Sequence, residues 1–580
     1  MIELSDEQNL ICQSNSNEIK VNAFAGTGKT TTLLHYSLQR PNKRILYICY
    51  NKTIQLEAEA KFPKNVVKKT SHSLAYGYVG FKYKHKLASF VSNLAIKNYL
   101  KLQNSKNPDV AAKILMSTVE NFCSSKSYQF ETNHLPYDIL SMSGIIDPNY
   151  STDHIEKIES AILHRAHILW SLMCDTNNTD ISMTHDGYLK LFQLNIKQLP
   201  YEVVMLDEAQ DANPATLAIL EAQNNCQKIL VGDSYQSIYS FRGAINAMET
   251  FKNAEQFYLT QSFRFGETVA NYANSILSMM GEQRQIKGMG KSEIVSKAPM
   301  DKFTLDKSTV IFRNNNSVFS YAIENLKGRK VFMEGGISNY NLDSLLDVYY
   351  MYSKQTNKIK DPLIASFSSF DKLFDSATIN NNIQLLNHCS LVKKYGYNFQ
   401  SRVNDLRNRI TKTSDEADIV LTNVHKAKGK EYNRLELSED FYSSPIDGKS
   451  YNRWLQAQSH QHAPGTPEYL NIMKTIADYQ KYHIIHHIPD DIKEEAHVAY
   501  VALTRVKNKV ILPYNYNNYL NISFKLFNEG ITPENNSLMV KLNFKVTDEA
   551  KAKISKYRLD KIIVEKPTNE PKQHKKLNKI

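Results

Sequence analysis

The chain has 580 residues, 42% of them hydrophobic and 22% charged, with a formal net charge of +12. That content supports packed cores and excludes a largely disordered chain, and the length suits about four domain-sized units. The Lys and Arg excess suits a polyanionic partner. Six scattered cysteines without a CxxC pair argue against metal ribbons and a disulfide framework. The acidic, polar start MIELSDEQNL and the lack of an apolar run of bilayer length predict a soluble, cytoplasmic protein.

In chain order, KVNAFAGTGKTTTL (20–33) predicts a short strand through Val21, a tight turn and a helix. Gly26 and Gly28 let backbone N–H groups converge on phosphate oxygens, and the helix N-terminus adds partial positive charge. The expected ATP cradle is Ala25, Gly26, Thr27, Gly28, Lys29, Thr30 and Thr31. Lys29 is expected at the β- and γ-phosphates, and Thr30 on Mg²⁺. Ala23 stands where the strict P-loop pattern has glycine.

Residues 91–189 read as mostly helical, as in HIEKIESAILHRAHILWSLM. YEVVMLDEAQD (201–211) is an apolar strand ending in two acids. Asp207 falls at the strand's carboxyl end, where α/β sheets bind ligands, and suits Mg²⁺. Glu208 suits orienting and deprotonating a water. QKILVGDSYQSIYSFRG (227–243) is a second buried strand, followed by a run of rings. Tyr235 reads as core, whereas Tyr239 and Phe241 are interleaved with Gln, Ser and Arg.

VIFRNN (310–315) and ADIVLTNVHKAKGKEY (417–432) read as further strands. In KYHIIHHIPDD (481–491), His483 and His487 lie one helical turn apart, but no acid or cysteine completes a tetrahedron, so a polar surface helix is expected. The end, EKPTNEPKQHKKLNKI, reads as a disordered basic tail.

AFAGTGKT, DEAQD, GDSYQSIYSFRG, LTQSFRF (259–265), LTNVHKAKGKEY (421–432) and AYVALTR (499–505) occur in the order of the UvrD/Rep-like superfamily 1 DNA helicases, which the chain resembles over about residues 8–505. The wording is closest to the F-box DNA helicase branch, where alanine at the first P-loop position is common. No F-box-like extension precedes residue 1, so a ubiquitin-ligase role is not implied.

The resemblance implies an α/β fold of two RecA-like P-loop lobes with helical insertions. Lobe 1A would span 1–90 and 190–275, insertion 1B 91–189, and lobe 2A 276–335 and 410–522. A reduced 2B-like insertion would occupy 336–409, with an extension at 523–580. It further implies that Gln236 senses the γ-phosphate, that Arg264 and Arg505 are γ-phosphate arginines, that Gln8 reads adenine and that Glu431 reaches the ribose. Tyr239 and Phe241 would stack on single-stranded bases, supported by Arg242. Asn51, Thr70, His72, Thr422 and His425 would touch the DNA backbone; stacking by Tyr50 stays open.

The implied activity is ATP- and Mg²⁺-dependent 3′–5′ movement on single-stranded DNA, with single-strand/duplex junctions as substrates. Alternatives stay open: a translocase that strips bound proteins or serves as motor of a larger complex, a scaffold with a vestigial ATPase, and RNA as the track.

Overall fold

The computed structural model describes residues 3–147, 149–239, 246–280, 282–297, 308–326, 328–380, 382–442 and 490–513, with 466–467, 469–470 and 473. Phe241, Arg242, the His483/His487 pair and the 523–580 extension lie outside the described residues.

Two six-stranded sheets organise the chain. The first contains β1 (Glu18–Ala23), β2 (Ile45–Cys49), β3 (Val66–Thr70), β4 (Val203–Leu206), β5 (Gln227–Gly232) and β6 (Glu255–Leu259), in the order β3-β2-β4-β5-β1-β6. Every pair in it is parallel. Parallel sheets carry covering layers on both faces, so their strands read as continuous apolar runs. ILYIC in β2 and VVML in β4 are buried at every position for this reason.

β7 (Gln261–Ser262) and β8 (Lys287–Gly288) form a small parallel pair beyond the first sheet. The second large sheet contains β9 (Glu293–Lys297), β10 (Thr309–Phe312), β11 (Val331–Met333), β12 (Ile419–Asn423), β13 (Tyr432–Leu437) and β14 (Val506–Pro513). Its order is β11-β12-β10-β13-β14-β9, again all parallel.

The segment between β3 and β4 is helical. Pro108–Cys123 starts with proline at its first turn and an Asn107 cap, and Thr152–Cys174 starts at a Ser151 cap. The segment between β11 and β12 is helical too, with Leu342–Tyr352, Phe370–Ile379, Ile383–Tyr395 and Phe399–Arg409. No described helix is long and apolar enough to cross a membrane.

Core packing joins these parts. One apolar cluster covers a face of the first sheet and runs into the 91–189 helices. Another joins the P-loop residues Phe24 and Ala25 to the second sheet through Phe265, Leu435 and Tyr500. A third unites Ile114, Leu135 and Leu140 with Leu345, Val348 and Phe399, so the two helical segments share one core. Lys113 and Asp361 pair at 2.9 Å across that junction.

Leu345 is wholly buried in the shared core. Leu345→Ala is expected to cost about 2–5 kcal/mol, read as a lowered thermal unfolding midpoint.

Candidate functional site

The carboxyl ends of β1, β4 and β5 lie side by side, and each carries part of the site. After β1 the chain turns through Gly26 (φ +76) and Gly28 (φ +82) into the helix Lys29–Leu38. The loop is packed tightly. A Cβ on Gly26 would sit 2.5 Å from Ser262 Oγ and 2.6 Å from Arg264 Cβ. The Thr27 hydroxyl donates to the Phe24 carbonyl at 2.8 Å and pins the turn. Thr31 lies partly exposed in the first turn of the helix.

Gln8 lies against this loop, 3% exposed. Its carboxamide oxygen accepts from the Ser5 N–H at 3.1 Å, as part of a capping box, and its Nε2 donates to the Thr27 carbonyl at 3.5 Å. Both polar ends are therefore engaged within the chain, which differs from a side chain held open for an adenine edge.

Asp207 follows β4 and is buried. Its Oδ2 accepts from the Tyr47 hydroxyl at 2.5 Å and from the Thr30 hydroxyl at 3.4 Å. Glu208 takes a left-handed backbone (φ +52), which turns its carboxylate towards Lys29, 3.7 Å away, and lets Gln210 donate to it at 2.6 Å. Burial, and then the Glu208 charge, push the Asp207 carboxyl up. Burial acts upward on Glu208 as well, but Lys29 and Lys428 outweigh it and hold this carboxyl below its usual range. The two neighbouring acids thus differ in proton affinity. Mg²⁺ is commonly held by one or two carboxylates with hydroxyl, phosphate and water oxygens, and the adjacent Thr30 hydroxyl and Asp207 carboxylate fit that donor set.

The second sheet supplies cations. Arg505 follows the helix Asp490–Leu503 and is 2% exposed. Its guanidinium donates to the Val501 carbonyl at 3.0 Å, the Gln236 carboxamide oxygen at 3.0 Å and the Thr504 hydroxyl at 3.1 Å. All three are neutral oxygens. Burial, and then the charge of Arg264, lower its pKa to about 9. Arg264 donates to Glu431 at 2.8 Å and to the Thr504 carbonyl at 3.0 Å. Glu431 also pairs with Lys507 at 2.9 Å.

Lys428 crosses to the first sheet, where it pairs with Asp211 and donates to the Gln236 carbonyl. Burial raises Asp211 to about 6 against the pull of that ammonium. Tyr500 crosses too: its hydroxyl accepts from the Ala25 N–H at 3.1 Å and donates to Asp233 at 3.0 Å. Ala25, expected in the ATP cradle, therefore gives its N–H to the other half of the cleft.

The residues expected on DNA divide. Asn51 and Thr70 cap the helices Lys52–Lys61 and Ser71–Tyr78 towards the edge of the first sheet, and His72, half-buried, pairs with Asp186 at 2.8 Å. Asp186 in turn is held below its usual range, chiefly by its hydrogen bond with His72. His425 and Lys426 line a cavity of about 690 Å³ with Tyr239, Asn314, Asn387 and Lys430.

Two expectations need correction. Thr422 is wholly buried, because β12 lies inside a sheet covered on both faces, and its hydroxyl donates to the Asn423 carbonyl at 3.1 Å. Tyr239 is only 8% exposed: its ring lies between Tyr50, 5.7 Å away, and His425, 5.9 Å away, where the two halves meet. The ring face left in the open is Tyr50, 43% exposed. Arg313, in VIFRNN, forms an ion pair with Glu495.

Tyr47, Asp211, Asp233, Lys428 and Tyr500 were not singled out from the sequence. The last four stand inside DEAQD, GDSYQ, HKAKGKEY and AYVALTR, so the motifs themselves were the available signal. What was hidden is the pairing across the cleft, between residues more than two hundred positions apart.

Residues 4–258 match the UvrD/REP helicase N-terminal domain. The chain is 29% identical over 555 residues to F-box DNA helicase protein 1 of Schizosaccharomyces pombe, covering 88% of this chain and 57% of that protein. It is 30% identical over 455 residues to F-box DNA helicase 1 of Gallus gallus, covering 74% and 43%. To the ATP-dependent DNA helicase srs2 of Schizosaccharomyces pombe it is 27% identical over 336 residues, 51% and 37% of the two chains. The chain spans about half the length of the first two relatives.

Gly26→Ala puts a Cβ into both a left-handed backbone and two close contacts. It is expected to weaken ATP binding by about tenfold or more, measured by equilibrium nucleotide titration.

Proposed function

We propose, from the match of residues 4–258 to the UvrD/REP helicase N-terminal domain, that this chain is an ATP-dependent DNA helicase whose two parallel sheets are RecA-like lobes sharing one nucleotide. The observation that carries the reading is Arg505: a buried guanidinium whose hydrogen bonds go to neutral oxygens, with Glu208 and Asp233 at the strand ends of the other sheet acting on it through space. A buried cation is costly unless an anion compensates it. The triphosphate of ATP supplies that anion.

In this reading the Gly26–Gly28 turn and the helix N-terminus hold the phosphates, and Lys29 leaves Glu208 for the β- and γ-oxygens. Thr30 and Asp207 would hold Mg²⁺ bound with ATP, and the ion would neutralise phosphate charge. Glu208, released by Lys29, orients the attacking water and takes its proton. Gln236 joins the phosphate end of the site to Arg505. Arg505 and Arg264 stabilise charge on the transferring phosphoryl group. Glu431 trades its ion pair with Arg264 for the ribose, and Gln8 frees its amide for adenine.

The DNA track runs over Asn51, Thr70 and His72 on the first lobe and His425 on the second, with Tyr50 offering a stacking face. Phe241 and Arg242, which follow Tyr239 in the sequence, complete the track. Because Tyr239 sits between Tyr50 and His425, opening and closing of the cleft moves the two halves of the track against each other, and this motion drives 3′–5′ translocation. The 336–409 helices are the reduced 2B insertion, and their smallness favours a second role, displacement of proteins bound to single-stranded DNA. The relatives named above as DNA helicases support DNA as the track.

Single-stranded DNA is expected to raise ATP turnover, and Lys29→Ala or Glu208→Gln to abolish that rise while DNA binding survives. Normal turnover in either variant would show the site to be misassigned. On strand-separation substrates, a duplex with a 3′ overhang is expected to unwind and one with a 5′ overhang is not; the reverse preference would overturn the polarity.

A further inference from the structure

We infer that Tyr500 is a positioning residue that links the phosphate cradle of one lobe to the arginine of the other; this rests on the reading of the cleft as an ATPase site. Its hydroxyl is wholly buried and bridges the two sheets. It accepts from the Ala25 N–H, one residue before the Gly26 turn, and donates to Asp233 Oδ2 after β5. The same Oδ2 accepts from Gln236 Nε2 at 2.7 Å, and the Gln236 oxygen accepts from Arg505 at 3.0 Å. A continuous chain of hydrogen bonds therefore runs from the P-loop backbone through Tyr500, Asp233 and Gln236 to Arg505.

The helix carrying Tyr500 holds its other end of the chain as well. Arg505 donates to the Val501 carbonyl, and Thr504 donates to the Tyr500 carbonyl at 2.8 Å. One turn earlier, the His497 ring meets the Ser237 carbonyl at 2.9 Å. Successive turns of the helix thus grip the 234–237 segment, and the Tyr500 hydroxyl reaches on to the P-loop. Phenylalanine would fill the same space, so packing explains the ring but not the oxygen. Removing the oxygen leaves the Ala25 N–H without its acceptor and Asp233 without one donor, in a site closed to water. The aim of Arg505 would then no longer follow the position of the P-loop.

Tyr500→Phe tests this through steady-state kinetics on saturating single-stranded DNA. The expected result is a fall in kcat of about tenfold with KM for ATP held within about twofold. In the Arg505→Ala background the same change should add no further loss, because both residues act in one chain. Asp233→Asn, which keeps the volume and alters the shared acceptor, should reproduce the loss confined to kcat and serves if Tyr500→Phe fails to fold. Unchanged kcat in both variants, or a full additional loss on top of Arg505→Ala, overturns the inference while leaving the ATPase reading intact. A parent chain that hydrolyses no ATP on single-stranded DNA overturns the reading itself.

Discussion

The structure depends on burying two cations of one sheet against the nucleotide loops of the other. Lys428 meets this constraint with Asp211, itself buried at the end of DEAQD. Arg505 hydrogen-bonds to neutral oxygens, with the charges of Glu208 and Asp233 acting on it through space. Several kcal/mol of desolvation accompany each buried charge, so the position of Arg505 makes sense in a cleft that receives a polyanion. The same constraint explains why the acids at the end of β4 differ: Glu208 faces the cations, whereas Asp207 faces Tyr47 and Thr30.

Away from the cleft, the two helical segments bury one common apolar core, and the Lys113–Asp361 pair spans their junction. Motion between the halves is therefore confined at one end by this shared core and at the other by hydrogen bonds that a nucleotide can exchange. Such an arrangement suits small closing movements about the cleft better than a wide swing of one insertion.

The strands were legible because parallel sheets leave an unmistakable pattern: short apolar runs such as VVML, followed by an acid-bearing turn. The helical character of 91–189 was legible from its period. Lys29, Asp207 and Glu208 could be picked out because local geometry alone, a strand end and a helix start, dictates their chemistry. Tyr239 and Thr422 were misjudged for one reason. Tyr239 has Gln and Ser nearby in sequence and Thr422 ends the apolar run IVL, but the surfaces that cover both come from residues far away along the chain. Tyr500 and Lys428 escaped notice for the same reason, since a tyrosine in an apolar helix and a lysine in a basic turn look ordinary until the opposite sheet is in place.

The central claim is that chemistry at the P-loop needs the second sheet. The most direct test is ATP turnover at saturating single-stranded DNA in Arg505→Ala, with ATP affinity measured alongside. A fall of about 10³-fold or more with affinity changed only a few fold is the predicted result. Turnover equal to the parent's would mean that the first sheet works alone, and would contradict the account.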